Sequence, residues 1–515
     1  MRRTFTLIAA AACACQSSDR PLELASTDGV TFDIRAARPP ANYDPIALAA
    51  SSVGRIRNVD ANIPALCYTR SDGISNPCWT CHTHSEYPNL ADDWELQQNY
   101  SFPPSARRNH WRNLFRDRRR LVDGFDDDAI ARYVRTDNYA PLRQALERTR
   151  DFAGWRPDLD LAQGFDEHGF ARDGSGWRTL RYKPFLGTFW ATNGSADDVF
   201  VRLPAEFRTD AAGHDVYAAN LAILEAAIAS DPRRSDAELG LPAHYLGLAS
   251  HVPVTRLLYP AGVEFLHSVR YLDPDAPAFA ARRMKELRYA RKLAVLDKRQ
   301  LVAAYKALEA PDAAPGYDGD PLVGLRNPFG WQLQGWIEDA RGWLRLQTHE
   351  EQTYCMGCHT GLGVTVDQTF AFARKVPGND GWRLQDPSGI PDVPQIGHTE
   401  PEYALYLQRV RGGDELRANG ELLARYFMNG APDPARLAST RDDIGKLVLP
   451  SKERALALDR AYLANVIEQS FVWGRDAVVE PVRHVEQQIE ERSTGIGEAG
   501  LTVRDGRLHL DWSRR

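Results

Sequence analysis

Two spacings of apolar residues run along this chain. A period near 3.6 marks residues 215–229, where Asp215 can cap and Val216, Ala219, Ile223 and Ala227 line one side. Similar spacing predicts helices within 107–150, with Asp127 or Asp128 capping 129–134 and Pro141 in the first turn of the segment ending near 150. Further helices are predicted at 276–308, 401–410, 414–427 and 451–473. Period-2 runs predict strands at 179–182, 188–191, 199–203 and 263–272, with Asn193-Gly194 as a turn. In the last strand Phe265, His267, Val269 and Tyr271 share a face. Asp505-Gly506 predicts a terminal hairpin over 501–512. The expected fold is mainly α, with a β-containing central insert and helical haem-binding regions.

The divisions follow from composition. Residues 1–15 read as a secretion leader, with Arg2 and Arg3 before a short apolar run. That run is too short to span a bilayer, and no later segment reaches about 20 apolar residues. It ends Ala12-Cys13-Ala14-Cys15-Gln16, which resembles a lipoprotein cleavage site, with Cys15 ahead of Cys13 as the lipidated residue. Residues 16–62 form an N-terminal arm, and 63–310 a first haem-binding region carrying the α+β insert. The Pro- and Gly-rich stretch 311–321 is a linker, 322–475 a second haem-binding region and 476–515 a helix or hairpin extension. Export to the periplasm or to an outer-membrane anchor is expected, with the membrane surface met through the lipid. The net charge of −6 disfavours a nucleic-acid partner and suits redox partner proteins with basic faces.

The chemistry lies in two Cys-x-x-Cys-His motifs, Cys78-Trp79-Thr80-Cys81-His82 and Cys355-Met356-Gly357-Cys358-His359. Composition predicts on the order of 0.002 such matches by chance. On a helical turn, residues three and four apart share a face, so both cysteines and the histidine of each motif point one way. That geometry suits covalent haem: two thiols add across the porphyrin vinyl groups, and the imidazole reaches the iron as proximal ligand. Cys78, Cys81, Cys355 and Cys358 are therefore the attachment residues, and His82 and His359 the axial ligands, of two haems c. Thr348 and Glu351 form a capping box ahead of the second motif. A four-cysteine zinc site would normally place its pairs 15 to 20 residues apart, and a thioredoxin-like pair leaves the repeated histidine unexplained. Cys67 remains single, and reads as a small core residue near the first haem.

Opposite each proximal histidine a sixth ligand sets reactivity. Candidates are His84, two residues beyond the first motif, His267 on its strand, His398 and Met428. The acidic, glycine-rich loop 158–176 could offer oxygens to calcium, although EF-hand spacing is not met. The basic stripe Arg282, Arg283, Lys285, Arg288, Arg291 and Lys292 reads as a solvated helix face or a surface that pairs haem propionates.

The motifs at 78–82 and 355–359 make the chain resemble the dihaem c-type cytochrome superfamily, which includes dihaem peroxidases, MauG-like proteins and rubber-cleaving dihaem oxygenases. The resemblance implies electron transfer in the bacterial cell envelope. A second expectation is a peroxidase- or oxygenase-type oxidoreductase, with one haem as active site and the other as relay.

Overall fold

The computed structural model describes residues 23–25, 31–70, 77–84, 87–187, 190–308, 317–410, 419–495 and 508–514. Cys13, Cys15 and most of the expected terminal hairpin lie outside them. A two-strand ladder pairs β1 (Glu23–Ala25) with β2 (Thr31–Asp33). The central element is an eight-stranded antiparallel sheet built from β3 (Arg178–Leu180), β4 (Ala196–Arg202), β5 (Glu264–Leu272), β6 (Ala280–Lys292), β7 (Asp318–Asp320), β8 (Gly324–Arg326), β9 (Trp331–Glu338) and β10 (Leu344–Leu346). Its order is β3-β4-β5-β6-β9-β8-β7, with β10 also paired to β9. Strands from both sides of 311–321 thus share one sheet.

The mainly α expectation is corrected: the fold is mixed, 35% helix and 17% strand, around this sheet. The largest error is at 276–308, read as one helix. Residues Ala280–Lys292 are instead the longest strand, paired to β5 on one side and β9 on the other, and only Lys298–Leu308 is α-helical, with a 3₁₀ turn at Pro277–Phe279. Arg, Lys, Leu and Ala favour a helix locally, but propensity is a weak prior that tertiary pairing overrides. The period-2 signal is erased because both faces of β6 are covered, so charged side chains are buried alongside apolar ones. Arg283 is one, meeting Glu338 at 3.0 Å with both side chains enclosed.

Other elements follow their local signals closely. The helix Asp127–Arg135 is capped by Asp126, one residue before the expected positions, and Pro141 sits in the first turn of Tyr139–Arg148. Helix Tyr217–Ala229 starts where Asp215 accepts the Tyr217 N–H, and buries Tyr217, Asn220, Leu221, Leu224 and Ile228. That face is turned by one position from the predicted one, and Ala227 alone is common to both. Helix Lys452–Glu468 is capped by Ser451 but ends at Gln469, whose φ of 49° stops it before 473. Residues 191–193, read partly as strand, form a 3₁₀ turn closed by Gly194 in the left-handed region.

One face of the sheet packs Phe200, Leu266, Leu287, Tyr289 and Trp336 against the helix Tyr139–Arg148 and the Trp177 region. The other face carries Val199, Phe265, His267, Val269, Ala290 and Leu333, and forms a wall of an internal cavity. The alternation predicted for 265–269 therefore places these side chains on the functional side.

Candidate functional site

Both motifs open into that one cavity, of about 520 Å³, although more than half of the chain separates them. Cavities of roughly 300–1,000 Å³ hold organic cofactors. Cys78, Cys81, His82, Cys355, Cys358 and His359 all line it.

The first motif occupies a 3₁₀ turn, Pro77–Thr80, and a following bond from His82 N–H to the Cys78 carbonyl (2.8 Å). The second sits on helix His349–Cys358, where Thr348 and Glu351 make the expected capping box. His359 closes this helix, its N–H reaching the Cys355 carbonyl at 3.2 Å. Gly357 is required by packing: a Cβ there would stand 1.6 Å from the Asn62 carbonyl oxygen.

The first motif is tied to the loop that follows the second. The Cys81 carbonyl accepts the Val364 N–H at 3.0 Å, and Asn89 reaches the Thr365 carbonyl at 3.2 Å. Burial raises the Cys358 thiol to about 12, with the charge of Cys81 from the other motif as the next cause. Burial likewise lifts Cys78 to about 12 and raises Cys355. Among the described residues no group of three His, Cys, Asp or Glu is arranged to hold a metal ion directly.

Each motif histidine has its ring fixed from behind. His82 Nδ1 lies 2.6 Å from Asp93 Oδ2, and His359 Nδ1 lies 2.9 Å from the Gln368 carbonyl. Carboxylates and carbonyls accept, so each Nδ1 carries a proton and Nε2 is the nitrogen left to reach a metal. This backing is what ligating histidines need. Burial pushes His359 down to about 4, keeping its imidazole neutral near pH 7. Neither Asp93 nor Gln368 was singled out in the sequence. Asp93 stands eleven residues beyond His82, without periodicity to mark it, and Gln368 acts through its backbone.

Cations line the cavity as well: Lys285, Arg288, Arg374 and Arg475. Arg288 and Arg475 share Glu286, at 2.8 and 3.0 Å, and Arg374 meets Glu402 at 2.7 Å. Lys285 and Arg288 belong to the predicted basic stripe, but they reach the cavity from a strand. Asp197 and Tyr182 are further lining residues that the sequence did not mark.

Of the expected sixth ligands, His267 faces the cavity. His84 lies outside its lining, exposed and paired with Asp92 at 2.9 Å. His398 is outside it too, and Met428 is 52% exposed on a short strand. Cys67 lines the cavity beside the motif cysteines, and burial raises its thiol strongly. In the loop 158–176, Asp166 accepts the His168 and Phe170 N–H groups and Asp173 the Ser175 N–H, while Asp158 accepts the Trp177 indole N–H.

A lipoprotein family model matches residues 51–433. A curated relative, an uncharacterised lipoprotein of Aquifex aeolicus (strain VF5), is 32% identical over 522 residues, covering 86% of this chain and 91% of the relative. No solved structure matches. These matches overturn the resemblance to the dihaem c-type cytochrome superfamily and to its peroxidase and MauG-like branches. That resemblance rested on ten motif residues, whereas the lipoprotein likeness extends over most of the chain. Among the described residues no helix is long and apolar enough to cross a membrane.

Proposed function

This chain belongs to that lipoprotein family, exported and membrane-anchored, and from that premise we propose that it carries two covalently attached haems and transfers electrons at the cell envelope. The anchor is placed at Cys15, so that the folded body works at a membrane surface on the periplasmic side or at the outer membrane. Its partners are redox proteins of the same compartment.

One observation carries the reading: two Cys-x-x-Cys-His turns, remote in sequence, open into a single cavity with both imidazoles backed at Nδ1. Core packing alone gives no reason for four cavity-lining thiols and two oriented imidazoles to converge on an internal space. The cavity's other groups also suit the cofactor. Its apolar wall of Phe185, Phe265, Leu333, Trp331 and Phe370 matches a porphyrin face, and its buried cations match propionates. Cys78 with Cys81, and Cys355 with Cys358, would form the thioethers, while His82 and His359 would supply the proximal nitrogens.

Maturation in a host that attaches haem to such motifs tests this. Replacing Cys355 and Cys358 together with alanine should leave about half of the haem that survives denaturation. Full retention in that variant would remove the second motif from the account.

A further inference from the structure

The wall that faces the motifs carries a polar cluster that haem attachment does not use. His267 on β5 stands opposite Val199 on β4 and Arg288 on β6 in the sheet register. Its Nε2 lies 2.9 Å from Asp197 Oδ2, and the same carboxylate oxygen accepts the Tyr182 hydroxyl. All three side chains line the cavity, among Val199, Phe265 and Val269. Asp197 is 6% exposed. A buried carboxylate is costly unless it is well partnered, and here it takes two donors at the cavity wall beside Val199, Phe265 and Val269.

Resting on the haem reading above, we infer that Tyr182, Asp197 and His267 form the distal site of the haem held by His359, and that this site binds a small protic molecule of the hydrogen peroxide or hydrogen cyanide class. The placement follows from the walls. Arg288, the register partner of His267, shares Glu286 with Arg475, and Arg475 lies over the ring of Tyr354, the neighbour of Cys355, at 4.3 Å and donates to the Glu351 carbonyl of the same helix at 2.6 Å. The cluster therefore looks onto the second motif. Its His267 is oriented by Asp197 much as a base is oriented by a carboxylate elsewhere. Such a molecule enters neutral and is retained as its anion. The H–X bond breaks, the electron pair stays with X, and the proton passes to the His267–Asp197 pair. No electron transfer is needed for this step.

The test uses the full, matured, oxidised protein with potassium cyanide as probe. The site predicts that half of the haem shows a cyanide-dependent spectral change. Asp197→Asn and His267→Leu should each weaken cyanide binding by about tenfold or more, with Tyr182→Phe smaller, while two haems per chain remain attached. Cyanide leaving both haems of the wild type unchanged would overturn the inference while the haem reading stands. So would a His267→Leu variant that gains a cyanide site the wild type lacks, since His267 would then itself be the sixth ligand. Unaltered affinity in Asp197→Asn would also overturn it. A purified chain with no covalent haem would instead bring down the underlying reading.

Discussion

At the scale of single residues, the site is set by groups standing behind the motifs. Asp93 draws the His82 Nδ1 proton toward a carboxylate, which makes the opposite nitrogen a stronger donor. Asp93→Asn should then raise the midpoint potential of one haem and leave the other unchanged, as read by redox titration of both. Gly357 is fixed sterically, because a methyl group would collide with the Asn62 carbonyl. Gly357→Ala should lower stability by about 1–3 kcal/mol, read from denaturant midpoints. Glu402 tests the charged floor. Burial alone would raise its pKa, but Arg374 and Lys183 outweigh that and lower it from 4.5 to about 2. A depressed carboxylate contributes stability above its unfolded value and loses it as pH falls through the folded one. Stability should therefore drop between pH 4.5 and 2, and Glu402→Gln should flatten that drop. At neutral pH the same change should cost about 3–5 kcal/mol, because it strands the Arg374 guanidinium in the interior, while Lys183 keeps Asp392 at 2.7 Å.

At the scale of elements, the helix that presents the second motif depends on its start. Thr348→Ala removes the side chain that receives the Glu351 N–H at 3.2 Å, and should cost about 1 kcal/mol in thermal or denaturant unfolding. This capping box was legible in the sequence because it is a local pattern of two residues. The face of β5 was legible for a similar reason, since Phe265, His267 and Val269 alternate in a short run. Strand β6 was not. Its Arg and Lys residues read as solvated, and only the pairing with β5 and β9 reveals that Arg283 and Arg288 are enclosed by Glu338 and Glu286. The same pairing explains why Arg288 reaches the cavity from a stretch read as an outer helix face. The backing groups Asp93 and Gln368 depend on loop conformation and left no periodic signal.

At the scale of the whole molecule, the sheet and the two motif turns enclose one space. The Cys81 carbonyl holds the loop that follows the second motif, and both turns line one cavity, so two haems attached there would be close neighbours. Their transitions should couple, giving a two-signed circular dichroism band in the Soret region. The band should collapse to one sign when Cys355 and Cys358 are both replaced by alanine. Similarity over most of the chain to a lipoprotein relative fits a folded body of this extent carried on a lipid tether. Local motifs mark the residues proposed for haem attachment, whereas membership of the lipoprotein family was carried by residues spread along the chain.

The central claim is that porphyrin is joined to this polypeptide at both motifs. Mass spectrometry of the mature protein under denaturing conditions, after expression with a haem-attachment system, addresses it most directly. The account predicts the polypeptide plus two haem groups. A mass equal to the polypeptide alone, apart from any lipid, would contradict it.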